Sequence, residues 1–374
     1  MSGKVTVMRR RALFFSATRH LPPATLLVSV IVVASAISPR AQNAQDRPAA
    51  PVTNAPGIPG WAYPVAPGVP GPKDDGTIFH VPNSTVGMTL TQARNASDVP
   101  DWHPDEHPPM PPVVQRGQVA DGVRACGYCH YPNGLGRPEN ASIAGLPTEY
   151  FIQQVNDFKN GLRKTSEPAM RPPQLMADTA KAATDADIRT AAEYFGGLKL
   201  KPWIKVVESK TAPRTQILGG MLVPLEDRST EPLGDRIVEV PVDAHLTEGL
   251  RDSQSPFVAY VPVGSIAKGE ALVTTGGARI VAGKVVPGKT AACGTCHGAD
   301  LTGYADMPPI AGRSPSYVVR QLIDMQKGNR SGKGVRLMKP VIANLTMDDI
   351  IAIAAYTSSR SPEGSPKPAT TAQR

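Results

Sequence analysis

The stretch Cys126-Gly127-Tyr128-Cys129-His130 returns as Cys293-Gly294-Thr295-Cys296-His297, offset by 167 residues. These two strings hold all 4 cysteines of the 374-residue chain. An even cysteine count in an exported chain first points to disulfides. The spacing opposes that reading, because each pair is three positions apart and is followed directly by His. A thioredoxin-like redox pair does not need the His, least of all twice. A zinc site built from all four thiols would join pairs 167 residues apart and ignore both histidines.

C-x-x-C-H, found twice, is the attachment signature of c-type haem. Two thiols on one helical turn add to the two vinyl groups at one edge of a porphyrin. The next residue then faces the iron, where His is a good axial ligand. Cys126 and Cys129 are therefore expected to hold one haem with His130 on its iron. Cys293 and Cys296 are expected to hold a second, with His297.

The motifs seed a longer repeat. At the same offset, Ile143-Ala144-Gly145 matches Ile310-Ala311-Gly312. Tyr150, Gln154, Asp157, Gly161 and Arg163 match Tyr317, Gln321, Asp324, Gly328 and Arg330. The offset then becomes 162, so the first copy carries five extra residues. Beyond it Leu175-Met176 matches Leu337-Met338, and Thr184-x-x-Asp187-Ile188 matches Thr346-x-x-Asp349-Ile350. Phe151, Val155, Phe158 and Leu162 recur at helical period, as do Val318, Leu322 and Met325. Thr184 and Thr346, each with Asp three residues on, read as helix caps close to a capping box. Aromatics are only 5% of the chain. Short helices with so few large side chains would pack poorly alone, and a haem supplies apolar bulk.

Each copy resembles a class I cytochrome c domain. The order is CxxCH, an Ile-Ala-Gly loop, a helix, a methionine and an Asp-capped helix with Tyr194 or Tyr356. The nearest likeness is to dihaem cytochromes with two such domains in tandem, and it covers about half the chain. The resemblance implies a methionine opposite each histidine, which raises the haem potential. Register selects Met176 over Met170 in the first copy and Met338 in the second. It also implies a proline carbonyl against the proximal imidazole, fixing its orientation. Pro308 is that residue in the second copy, whereas the first copy has Ala141, so the two potentials are expected to differ.

The expected fold is mainly α: two class I cytochrome c helical domains joined by a short-strand-rich segment, with a proline-rich N-terminal extension. Residues 1–36 read as a signal peptide. They hold five basic residues, no acid, an apolar run over 24–37 and the small-x-small site Ala34-Ser35-Ala36. The run is too short for a membrane span of ~17–25 residues. Residues 37–112 hold 16 prolines. That density forbids long helix or sheet and implies an extended, partly disordered chain. Trp102, His103, His107 and Met110 are read there as an ordered wrap, not as metal ligands. The domains fall at 113–200 and 263–360. Between them, residues 201–262 hold about four short β-branched runs, read as a structural spacer. Residues 361–374 read as a disordered tail.

Net charge is +8, but without residues 1–36 it is 35 positives against 32 negatives. No basic cluster remains, so nucleic-acid binding is not expected. The expected function is a periplasmic dihaem carrier of single electrons between a redox donor and an acceptor, a dehydrogenase or terminal oxidase among the candidates. Membrane contact would come only through a partner or an uncleaved leader. Two alternatives share the motifs. A dihaem peroxidase needs one iron able to open to peroxide, which the matched Leu-Met pairs oppose. A cytochrome subunit of a periplasmic dehydrogenase needs a docking surface.

Overall fold

The computed structural model describes residues 54–68 and 71–364. The expected leader, the first part of the extension and most of the tail lie outside the described residues. The helices are α1 (Leu90–Ala93), α2 (Pro112–Gln115), α3 (Cys126–His130), α4 (Thr148–Lys159), α5 (Arg171–Ala182), α6 (Asp185–Gly197), α7 (Ser265–Thr275), α8 (Gly294–His297), α9 (Pro315–Gln326), α10 (Val335–Ile342) and α11 (Met347–Ser359). No described helix is long and apolar enough to cross a membrane.

The repeat folds as two sets of like helices, α3–α6 and α8–α11. Thr184 and Thr346 both cap their helices. Each hydroxyl accepts from the backbone N–H of the Asp three residues on, and each Asp accepts from the cap backbone. The Ile-Ala-Gly loops close identically. Gly145 N–H donates to Phe195 O and Gly312 N–H to Thr357 O, both at 3.0 Å. The five extra residues of the first copy fall near α5, which has 12 residues where α10 has 8.

The first apolar cluster takes Ile143, Phe151, Val155, Ile188 and Phe195. The second takes Ala311, Val319, Leu322, Ile350 and Tyr356. The two sets differ at their starts. In the second, α7 is 11 residues long and crosses α11 so closely that a Cβ at Gly269 would lie 2.0 Å from Ala352 O. In the first, α2 has only 4 residues.

The middle segment holds more strands than the sequence predicts. It forms seven strands, not four: β1 (Ile204–Glu208), β2 (Thr211–Pro213), β3 (Thr215–Leu218), β4 (Met221–Pro224), β5 (Thr230–Pro232), β6 (Val238–Pro241) and β7 (Phe257–Val261). β2 and β5 are three residues each and end at proline, too short to show alternation. β1 pairs with β7 in parallel, and β6 lies antiparallel on the other side of β7. The segment feeds both cores. Trp203, Met221, Val223 and Phe257 enter the first cluster, and Ile237, Ala259 and Val261 enter the second. A further hairpin, β8 (Arg279–Val281) with β9 (Lys284–Val286), precedes the second CxxCH and was not expected.

The proline-rich strap has little regular structure but is packed. Tyr63 is buried in the second cluster and its hydroxyl donates to Asp324 at 2.8 Å. Trp102 is buried, and its indole N–H donates to Leu250 O at 2.7 Å. Prolines exclude long helices without excluding burial, because an extended chain still presents side chains to a neighbour.

Candidate haem sites

Each CxxCH string occupies a single helical turn, α3 or α8. Each turn ends on a residue with positive φ, Tyr131 at 62° and Gly298 at 84°. Glycine takes that conformation freely and tyrosine does not. Tyr131 is fully packed: its hydroxyl donates to Thr247 O at 3.4 Å and the Arg251 guanidinium lies 5.6 Å from its ring centre.

Both histidines are oriented alike. His130 Nδ1 meets Ala141 O and His297 Nδ1 meets Pro308 O, each at 2.8 Å. Loss of proline at 141 has not cost the carbonyl. A ring nitrogen held by a carbonyl is the N–H one, so Nε2 keeps its lone pair. Burial pushes both imidazoles below the usual His range, although the carbonyls pull the other way. Burial thus favours the neutral ring, the form that binds a metal, in both copies. Burial pushes the Cys126 thiol up to about 12 and the Cys293 thiol up to about 11.

Met176 lies on α5 and Met338 on α10. Met176 borders the cluster that Cys126 and Ala141 border, and Met338 the one that Cys293 and Ile310 border. Both are half-buried. Met170 is different: it is 0% exposed, caps the start of α5 and packs with Ala62 and Tyr63 in the second cluster. The other histidines have bland partners. His103 Nε2 pairs with buried Asp252 at 2.9 Å, and His107 lies 3.2 Å from Asp101 Oδ1 and 3.1 Å from the Tyr194 hydroxyl. No cluster of three or more His, Cys, Asp or Glu able to hold a metal ion occurs among the described residues.

The surroundings of the two turns differ. Tyr131 through Leu135 and Gly136 through Glu139 are almost wholly buried under the strap and the 245–255 segment, whereas the matching loop in the second copy is mostly exposed. Arg137 bridges Glu139, at 2.5 Å, and Glu248. Arg94 joins Glu248 at 3.1 Å. Buried Arg251 lies 4.0 Å over the Tyr128 ring and donates to Tyr128 O. None of these arginines was singled out from the sequence. Their partners are distant in the chain and no spacing marks them.

Two thiols on one turn, a carbonyl-held imidazole of lowered basicity and a thioether bordering the same apolar cluster make a donor set of the right chemistry for covalent haem, twice over. Fold and site together define a c-type cytochrome. No protein-family model matches the chain. It is 37% identical over 73 residues to cytochrome c-554(548) of Halomonas halodenitrificans, covering 19% of this chain and 88% of that one. It is 33% identical over 99 residues to the cytochrome subunit of sulfide dehydrogenase of Chlorobaculum tepidum, covering 26% and 81%. Over 244 residues it is 24% identical to cytochrome c4 of Pseudomonas aeruginosa, covering 64% and 85%. The chain belongs to the cytochrome c family, among the members with two class I domains in tandem. It is an electron-transfer cytochrome whose cofactor is haem iron.

Proposed function

We propose that the chain is a periplasmic carrier with two covalent haems, each closed by His and Met, passing one electron at a time between protein partners. Cys126 and Cys129 would hold the first haem with His130 and Met176 on its iron, and Cys293 and Cys296 the second with His297 and Met338. The haem supplies a one-electron ferric/ferrous couple when bound. The protein's part is to hold the imidazole in one tautomer, to keep water from the iron with the apolar clusters, and to set the two potentials apart. The observation carrying this reading is the doubled set of Nδ1-to-carbonyl bonds, at 2.8 Å in both copies, each beside an apolar cluster that one of the register-matched methionines borders.

A far-red spectrum of the ferric protein tests it by counting methionine–iron charge-transfer bands. Two bands are expected. Met176→Leu should remove one and Met170→Leu neither. His297→Ala should leave the second haem attached but high-spin. One band or none in the native protein would overturn the closed-iron reading and make peroxide the next reagent to add. The sulfide dehydrogenase relative supports a second reading, a cytochrome subunit of a dehydrogenase complex. A catalytic subunit that co-purifies at fixed stoichiometry would establish it.

A further inference from the structure

Hairpin β8–β9 is built against the usual rule for exposed strands. Ile280 and Val285 face each other across the ladder and are 75% and 73% exposed, with Val281 beside them at 49%. A free two-stranded ribbon usually carries charge or proline to blunt it, and an exposed aliphatic pair marks a contact surface. The hairpin springs from the end of α7. It returns at Thr290, three residues before Cys293, where Thr290 N–H donates to Gly276 O at 3.2 Å. The Thr290 hydroxyl donates to Val341 O at 2.5 Å, which ties its base to α10 beside Met338. On α10, Leu337 is also exposed.

Charge on these two segments has one sign. From Ala271 through Ala299 there is no Asp or Glu, but Arg279, Lys284 and Lys289 are present. From Met325 through Met347 there is again no acid, with Lys327, Arg330, Lys333, Arg336 and Lys339. Lys289 is engaged with Asp349 at 2.7 Å, and Arg330 is buried. Arg279, Lys284, Arg336 and Lys339 are exposed. The methionine-bearing segment of the first copy has no such bias, because Asp178 stands among Arg171 and Lys181.

We propose that this apolar, cation-rimmed face is where a redox protein with an acidic rim docks, so that electrons enter and leave through the second haem. The proposal rests on the carrier reading above and names its partner. In the step itself one electron leaves the ferrous haem, which becomes ferric, and reduces the partner's cofactor by one. Steering by opposite charge sets the encounter rate, and desolvation of the aliphatic pair holds the complex.

The test uses the full chain with both haems, reduced, in stopped flow against two oxidants: plastocyanin, a copper protein with an acidic face, and ferricyanide, a small anion that needs no dock. Ile280→Ser/Val285→Ser should lower the second-order rate with plastocyanin about fivefold or more at low salt. The ferricyanide rate should stay unchanged. Arg279→Gln/Lys284→Gln should flatten the salt dependence with plastocyanin. A native rate in the serine variant, or the same loss from Val119→Ser at an exposed valine of the first copy, would overturn the proposal. So would flotation of the native protein with phosphatidylglycerol vesicles that the serine variant loses, since the hairpin would then be a membrane contact. Failure of the carrier reading shows separately, as a native spectrum without two low-spin haems before any oxidant is added.

Discussion

Arg251 is the residue whose removal separates the two haem sites most cleanly. It is buried against the turn that carries Cys129, stacked on Tyr128, and in none of the ion pairs found among the described residues. The Arg251 Nε has no hydrogen-bond partner. Among the described residues no arginine stacks on the second turn, where Thr295 replaces Tyr128. A fixed positive charge near a haem favours the ferrous form. Arg251→Met is therefore expected to lower the first haem's potential by roughly 59 mV, a tenfold change in its ferrous-to-ferric ratio. The second haem should keep its potential, and Arg251→Lys should restore most of the first. Redox titration followed by optical spectra resolves the two, and an equal shift at both haems would show a merely structural role. The cysteines and histidines of both candidate sites were legible in the sequence because each set falls within one five-residue string that occurs twice. Arg251 was not, because its stacking partner Tyr128 is 123 residues away and the middle segment alone brings them together.

At the scale of the element, the crossing of α7 over α11 rests on Gly269. A Cβ there would meet Ala352 O at 2.0 Å and Tyr356 Cβ at 2.7 Å, both fixed parts of α11. Gly269→Ala should therefore cost ~1–3 kcal/mol or more, as overpacking of a close helix contact does. Guanidinium unfolding checks this, and a native midpoint would mean that the helices part without penalty. The same α11 is anchored at its start by Asp349, which accepts from Thr346 and pairs with Lys268 at 2.8 Å and Lys289 at 2.7 Å. Burial alone would raise this carboxyl, but the two ammonium groups and the cap bonds outweigh it and hold it well below the usual Asp range. A depressed folded-state value stabilises above the unfolded Asp value near 3.9 and loses that stability as pH falls below it. Asp349→Asn should therefore lower stability at neutral pH and flatten its fall in acid, measured as thermal midpoint against pH. Helices α4, α6, α9 and α11 were readable because each has an apolar face at helical period, and α6 and α11 also start on a Thr-x-x-Asp capping box. The seven strands of the middle segment were half-legible. Runs such as Phe257–Val261 show β-branching, but parallel pairing with β1 depends on what lies between them.

At the scale of the whole molecule, the two copies meet about an approximate twofold axis that the repeat itself creates. Lys164 N–H donates to Asn329 O and Ser331 N–H to Leu162 O, both at 2.7 Å, and each bond is the image of the other at the offset of 167. Arg163 and Arg330 cross there. Arg163 donates to Gln154 at 3.0 Å and, over the boundary, to Tyr317 at 2.8 Å and Gln321 at 3.0 Å. Arg330 donates to Gln321 at 3.1 Å, Tyr150 at 2.8 Å and Gln154 at 2.8 Å. The residues matched by the repeat are thus the ones that join its halves. Off the axis, Arg313 adds bonds without an image, donating to Ser142 O at 2.6 Å and Ala144 O at 3.1 Å. Each glutamine oxygen receives both arginines. Losing one arginine leaves each oxygen one donor and also relieves the repulsion between two buried like charges. Losing both leaves the oxygens with none, while the repulsion can be relieved only once. Arg163→Gln and Arg330→Gln should each cost ~1–3 kcal/mol. Together they should cost more than their sum, by ~0.5–3 kcal/mol. A double-mutant cycle in urea measures the excess, and strict additivity would mean that the two guanidinium groups act independently and that the shared glutamines do not couple the halves.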